Sequence, residues 1–267
     1  MSDRFRFTIL GCGSSSGVPR IGGHWGECDS SNPRNRRRRC SLLIERIGAA
    51  GTTRVLVDTS PDLREQMLSA EVGTLDGVVF THFHADHVHG IDDLRQVVFN
   101  MGTRLPVWAD GPTQDALLSR FGYAFVQPKD SPYPPILELN TIHDAPFHVQ
   151  GPGGTVTLTP FGANHGTIDA LGFRVGGMAY LPDAVRIHDD SWARLQDLDL
   201  WIVDALRRTP HPTHAHLDMT LEWIARARPR QAVLTNMHID LDHDVVMAET
   251  PDHVIPAHDG MILELPV

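Results

Sequence analysis

Thr81-His82-Phe83-His84-Ala85-Asp86-His87 follows directly on the apolar run Gly77-Val78-Val79-Phe80. Alternate side chains of an extended backbone point the same way, so His82 and His84 can converge on one metal ion. The chain must turn after the strand, which lets Asp86 and His87 face a second ion. Imidazoles and a carboxylate suit Zn²⁺, Mn²⁺ or Fe²⁺. A run of solvated polar residues at a helix start is the alternative, but it explains this spacing poorly.

Three later segments each place a polar side chain just after an apolar run. His165 lies in a glycine-flanked turn, Asp183 ends the run Met178-Ala179-Tyr180-Leu181-Pro182, and His238 follows residues 232–235. Each of these alone is more often a turn residue than a ligand. Their order after the first cluster predicts that they complete the metal site.

This ordered set resembles the metallo-β-lactamase superfamily, whose mark is H-x-H-x-D-H after a strand. The resemblance covers the whole chain and implies one hydrolase domain over residues 1–267 with a four-layer αββα sandwich. It is most specific to the branch of phosphoribosyl 1,2-cyclic phosphate phosphodiesterase, near the tRNA 3′-processing nucleases. The segments shared with that branch are Gly11-Cys12-Gly13-Ser14-Ser15-Ser16-Gly17-Val18-Pro19, Asn35-Arg36-Arg37, His211-Pro212-Thr213-His214, residues 234–242 and Asp259-Gly260.

The resemblance implies two divalent ions, zinc or manganese, with iron as a further option. By the family pattern, the first ion is held by His82, His84 and His165. The second is held by Asp86, His87 and His238, and Asp183 bridges the two. Such ions make a hydroxide nucleophile from the bridging water. They also leave a positive centre, which attracts an anionic phosphodiester.

A leaving alkoxide needs a proton, which a histidine supplies near neutral pH. The family pattern points to His214 as this general acid, with His216 as the fallback, and Asp86 is counted as catalytic as well as a ligand. Asp58 either supports the ligands or caps a helix. Asn164 and Asn236 either orient the neighbouring histidines or simply form turns.

Five arginines lie within residues 34–39. Guanidinium groups match phosphate oxygens, so one or two of these arginines could reach the substrate. We favour a solvated loop that neutralises acidic neighbours for most of them. The close relative carries a structural zinc bound by clustered cysteines in this loop. Here only Cys28 is present, so we expect His24, Cys28 and Cys40 to be spare residues rather than a second zinc site.

The composition is that of an ordinary globular protein. The 267 residues are 41% hydrophobic and 21% charged, with a formal charge of −10, which argues against a dedicated nucleic-acid binder. Eleven short apolar runs alternate with six helical patterns, one of them over residues 190–195, which predicts two sheets packed face to face with helices outside. Residues 11–39 and 127–150 interrupt this alternation of apolar runs and helical patterns, and they are predicted to form long loops.

The three cysteines show no CxxC spacing, and the N-terminus lacks the pattern of a signal peptide, so we expect a cytoplasmic protein. No apolar run is long enough for a membrane span.

The favoured function is a two-metal phosphodiesterase acting on a small cyclic phosphate or nucleotide-like diester. The alternatives are a thioester or lactone hydrolase, a tRNA 3′ nuclease and a non-catalytic metal or nucleotide binder. The sequence leaves the oligomeric state open, a homodimer included.

Overall fold

The computed structural model describes residues 3–267. The chain divides into two compact units. The first comprises residues 3–8, Ser41–Thr157 and Ile262–Val267, and the second comprises Ile9–Cys40 and Leu158–Met261. The single domain over residues 1–267 therefore stays a prediction.

Fifteen strands and six α-helices form within residues 3–267. The strands are β1 (Arg4–Gly11), β2 (Ser41–Gly48), β3 (Gly51–Val57), β4 (Gly77–Val79), β5 (Leu105–Ala109), β6 (Leu137–Thr141), β7 (Phe147–Val149), β8 (Val156–His165), β9 (Ile168–Val175), β10 (Met178–Leu181), β11 (Arg186–Ile187), β12 (Leu200–Asp204), β13 (Gln231–Thr235), β14 (Val254–Pro256) and β15 (Met261–Pro266). The helices are α1 (Leu63–Ser69), α2 (Ala85–Val88), α3 (Leu94–Met101), α4 (Gly111–Phe125), α5 (Leu217–Ala227) and α6 (His243–Glu249).

The first sheet has the order β15-β1-β2-β3-β4-β5-β6. The neighbours β3, β4, β5 and β6 run parallel, and Val57 pairs with Val79. The three residues Val55, Leu56 and Val57 are fully buried, as expected for a strand covered on both faces. Because parallel strands end at the same edge, Asp58 after β3 is brought close to the segment after β4.

The second sheet contains the order β11-β8-β9-β10-β12-β13-β14. Antiparallel β8 and β9 form a hairpin, whereas β10, β12, β13 and β14 run parallel. The carboxyl ends of the parallel strands carry polar side chains in an otherwise apolar region. These side chains are Asp183 two residues after β10, Asp204 at the end of β12, and Asn236 directly after β13. The sheet thus gathers them at one edge.

All eleven predicted strands are present, with ends shifted by a few residues. The interpretation of residues 127–150 as one long loop was wrong, because β6 and β7 lie there. These strands are short and half-exposed, so their apolar pattern is weak. The predicted helix over residues 190–195 is a 3-10 helix, and the short α2, β11 and β14 were not predicted. No helix within residues 3–267 is long and apolar enough to cross a membrane.

Candidate metal centre

The histidine cluster of the first unit extends from the segment after β4 into helix α2. His84 occupies the N-cap position of α2 in an extended conformation, so His82 and His84 precede the helix whereas Asp86 and His87 lie within it. The ring centroids of His82 lie 4.7 Å from His84 and 4.3 Å from His87. The Nε2 atom of His87 is 3.6 Å from Asp86 Oδ2. The four residues predicted from the sequence are therefore brought together within this unit.

Hydrogen bonds fix the orientation of two of these imidazoles. His87 Nδ1 donates to Asp58 Oδ2 over 2.7 Å. The Thr81 hydroxyl donates to the same carboxylate over 2.8 Å, so its oxygen is left to accept from His82 Nδ1 over 2.9 Å. Both rings then carry their proton on Nδ1, which leaves the lone pair on Nε2. This is the tautomer that a metal ligand needs, and the residues present fit a divalent cation.

Asp58 supports predicted ligands, because it holds His87 and Thr81, and it does not cap the next helix. Its carboxylate also accepts from the Thr81 amide over 2.8 Å, and it is completely buried. Burial raises the pKa of Asp58, whereas the neighbouring His87 opposes this shift. The residue at the cap of α1 is Asp62.

We expect Asp58→Asn to weaken metal binding about 10- to 100-fold, because the amide no longer holds His87 and Thr81 in one arrangement. The measurement is metal retention against a competing chelator. Asp76→Asn is the matched control, since Asp76 is a partly buried carboxylate of the same unit that accepts from the Arg54 amide instead. Equal retention by the two variants would contradict the assignment.

The second unit contains its own group of potential ligands. His165 ends β8, Asp183 follows β10, and His214 lies in the segment before α5. One ligand atom from each lies within 4.8 Å of the other two. His165 Nδ1 donates to the carbonyl of Thr213 over 2.7 Å, so its Nε2 lone pair is available to a cation. Two predicted ligands and the predicted acid are thus neighbours here.

A buried aspartate that the sequence analysis did not single out holds His214. Asp204 Oδ2 lies 3.0 Å from His214 Nδ1, and Asp183 Oδ1 lies 3.5 Å from the same atom. The Ala184 amide donates to Asp204 Oδ2 over 3.0 Å, and Asn236 Nδ2 donates to Asp204 Oδ1 over 3.1 Å. Burial raises the pKa of Asp204, and His214 opposes this shift. The sequence signal that could have identified Asp204 is an aspartate at the end of an apolar strand, similar to Asp58 directly after β3.

His238 lies outside the group formed by His165, Asp183 and His214. Its Nδ1 is 3.2 Å from Asp240 Oδ1, and its Nε2 contacts the guanidinium group of Arg20. The assignment of His238 as a ligand therefore stays a prediction. The residue of this loop that reaches the group is Asn236, whose Nδ2 lies 3.3 Å from Asp183 Oδ1.

The other histidine and asparagine candidates are placed at different points. His216 precedes α5 at its cap position, and only His214 belongs to the ligand group. Asn164 forms a local turn, because its side chain exchanges hydrogen bonds with the backbone of Gly166. Turn formation, the alternative stated for this residue, is therefore what the structure shows.

The arginine run makes mainly internal contacts. Arg38 Nε pairs with Asp259 Oδ2 at 3.0 Å, and Arg36 stacks over the Trp25 ring. Arg37 is buried and donates to the carbonyl oxygens of Leu241 and His238 over 2.7 and 3.2 Å. The expectation of a solvated loop is thus wrong for Arg37, which instead ties two segments of the second unit together.

The three cysteines are free and buried. Cys28 Sγ lies 3.9 Å from Arg37 Nη1, whereas Cys40 Sγ lies 3.6 Å from the Gly13 carbonyl and from Thr235 Oγ1. Burial raises the pKa of each thiol, which disfavours the thiolate that binds zinc. Within residues 3–267, His24, Cys28 and Cys40 are not part of a ligand group.

Comparison with known proteins relates these clusters to a family. Residues 53–239 match the family model described as beta-lactamase superfamily domain. The octanoyltransferase of Porphyromonas gingivalis is 35% identical over 262 residues, which are 96% of this chain and 51% of that protein. The chain thus spans about half the length of this curated relative. A ribonuclease Z of Methanosarcina acetivorans is 33% identical over 84 residues, which are 31% of this chain and 26% of that protein.

A solved structure described as a new diphosphatase from the PhnP family is 34% identical, with a TM-score of 0.87. The match covers 99% of this chain and 98% of that one. The predicted αββα fold class and the PhnP-like branch are thereby confirmed. The histidine and aspartate groups agree with a metal-dependent hydrolase. On the family match over residues 53–239 and this shared fold, the chain belongs to the metallo-β-lactamase superfamily.

Proposed function

We propose that this hydrolase cleaves a phosphodiester or diphosphate bond in a small, nucleotide-like substrate. The observation that carries the proposal is the arrangement around His214, which is held by Asp204 beside His165 and Asp183. The similarity to a PhnP-family diphosphatase supports a phosphate substrate.

We propose further that the ions are two divalent cations, zinc or manganese, bound by the predicted residues. The proposed ligands are His82, His84, Asp86, His87, His165 and Asp183. His238, the seventh ligand predicted from the sequence, contacts Arg20 through Nε2, and its ligand role stays a prediction. When bound, such ions activate water and stabilise the charge that develops on a phosphate group. The orientation of His82, His87 and His165 through Nδ1 supports this ligand role.

The protein's own contribution to bond cleavage is the proton for the leaving oxygen. Asp204 accepts from His214 Nδ1, so the acidic proton is carried on Nε2, the other side of the ring. Asp204 also accepts from Ala184 and Asn236, and these donors favour its ionised form. An ionised Asp204 stabilises the imidazolium before proton transfer and keeps the ring oriented afterwards.

The test is turnover of bis(p-nitrophenyl) phosphate and of a dinucleoside diphosphate by metal-free protein supplied with Mn²⁺ or Zn²⁺. We expect metal-dependent hydrolysis of at least one of them. Absence of turnover with every divalent ion tried would reject the proposal. The cytoplasmic location and a homodimeric state stay predictions.

A second candidate is hydrolysis of a thioester or lactone at the same centre. The observation favouring it is the relative named an octanoyltransferase, since such an enzyme handles an acyl group. Rates on a phosphodiester and on an acyl thioester, measured side by side on one metal-loaded preparation, separate the two. A higher kcat/KM on the thioester would favour this candidate.

A third candidate is a tRNA 3′-processing nuclease, which the local similarity to a ribonuclease Z favours. The burial of Arg37 and the ion pair between Arg38 and Asp259 reduce the basic surface that tRNA could contact. Cleavage of a 3′-extended tRNA, analysed on a gel, would support the nuclease.

A further inference from the structure

Arg20 presents an unusual set of contacts in the second unit. Its guanidinium group contacts His238 Nε2, and His238 Nδ1 lies 3.2 Å from Asp240 Oδ1. Its buried Nε atom has no hydrogen-bond partner. In the part of the chain that the structure describes, residues 3–267, Arg20 forms no ion pair with a carboxylate. It is therefore an arginine whose charge is not neutralised directly.

The hydrogen bonds of His238 determine which of its ring nitrogens carries the proton and which carries the lone pair. Asp240 is an acceptor, so His238 carries its proton on Nδ1 and its lone pair on Nε2. That lone pair faces an N–H donor of Arg20. A lone pair that accepts from a guanidinium group is not available to a cation, and the positive charge of Arg20 repels one. This chemistry agrees with the position of His238 outside the ligand group.

The surroundings hold this arrangement rigidly. Arg37 donates to the carbonyl oxygens of His238 and Leu241, and the Arg208 amide donates to Asp240 Oδ2 over 3.1 Å. His238 is therefore fixed through its own backbone and through its partner Asp240. A fixed acceptor on one guanidinium nitrogen leaves the other donors of Arg20 oriented for a ligand.

The chain also connects Arg20 to the candidate centre. Asn236, two residues before His238, donates to Asp183 and Asp204. Two residues span about 7 Å at most, so the Cα atom of His238, whose side chain contacts Arg20, lies within about 7 Å of the Cα atom of Asn236. The guanidinium fork matches the geometry of phosphate oxygens.

We propose that Arg20 binds the substrate phosphate and that His238 and Asp240 position its guanidinium group. The proposal rests on the proposed function for its substrate class. It assigns phosphate recognition to Arg20 rather than to Arg37, which is buried, or Arg38, which pairs with Asp259. It also replaces the ligand role of His238 with a positioning role.

The first experiment titrates inorganic phosphate into the metal-loaded protein by calorimetry. We expect Arg20→Ala to weaken phosphate binding about 10- to 100-fold, and Arg20→Lys to weaken it less. The KM for a phosphodiester should rise more than kcat falls. Arg230→Ala is the control, because Arg230 is exposed and pairs with Asp199, and it should bind phosphate normally. Unchanged phosphate affinity in a folded Arg20→Ala protein would overturn the proposal.

The second experiment counts metal ions per chain in His238→Gln by elemental analysis. We expect the same count as in the unchanged protein, with phosphate binding weakened several-fold. A loss of one ion per chain would show that His238 is a ligand and would overturn its positioning role. Phosphate binding needs no turnover, so Arg20-dependent binding without phosphodiester hydrolysis would reject the proposed function and leave this inference standing.

Discussion

His214→Ala is expected to lower kcat about 10²- to 10⁴-fold while the metal content stays unchanged. The reason is that the variant loses the proposed donor of the leaving-group proton and leaves the other candidate ligands in place. Turnover of a diester with a poor leaving group, followed alongside elemental analysis, measures both quantities. A diester of p-nitrophenol should show a smaller loss, because a stable phenolate departs without a proton.

His216→Ala is the matched control for this prediction. His216 is two residues away and was the sequence-based fallback, but it lies outside the ligand group. We expect it to change kcat by less than about threefold. Unchanged turnover in His214→Ala with the ions retained would refute the acid assignment. Loss of an ion would instead make His214 a ligand, a role that its distance to His165 and Asp183 permits.

Asp204 offers a finer test of the same mechanism. Asp204→Asn keeps the shape of the side chain but removes the charge that holds and stabilises the protonated His214. We expect a loss in kcat smaller than that of His214→Ala and a KM within about threefold. A rate equal to that of the unchanged protein would show that Asp204 serves only the packing of the loop.

The sequence predicted those features best that depend on residues close together in the chain. The cluster from His82 to His87 needed only a strand end and a turn, and both are present. The strands themselves were found because apolar runs of four or more residues are a strong signal. In contrast, β6 and β7 are short and partly exposed, so a Pro-rich segment was interpreted as a loop.

The remaining errors concern contacts between segments far apart in sequence. Asp204 and His214 are ten residues apart, and the carboxylate reaches His214 Nδ1 only because the chain folds back after β12. Arg37 was predicted with the other arginines of its run to be solvated, yet it donates to the carbonyl oxygens of His238 and Leu241. Likewise, nothing in the order of residues indicated that His238 contacts Arg20. Sequence patterns give residue types and spacing but not these pairings.

Removal of the metal ions is expected to abolish turnover, by roughly 10³-fold or more, and to lower the thermal stability. Four predicted ligands, His82, His87, His165 and Asp183, are at most 2% exposed. A cation that binds only the folded chain stabilises it by about 3 kcal/mol at 100 times its Kd. For a chain of this size we expect the Tm to rise by about 5–10 °C on metal addition.

Asp183→Asn separates this stabilisation from a general effect of divalent salts. Asp183 is the proposed bridging ligand, and the amide cannot supply the negative charge that both cations require. We therefore expect this variant to lose most of the metal-dependent rise in Tm, measured by calorimetry of chelator-treated and metal-loaded protein. Asp199→Asn is the control, because Asp199 is partly exposed and pairs with Arg230, and it should keep the full rise. If metal addition left the Tm of the unchanged protein constant, the metal assignment would fail.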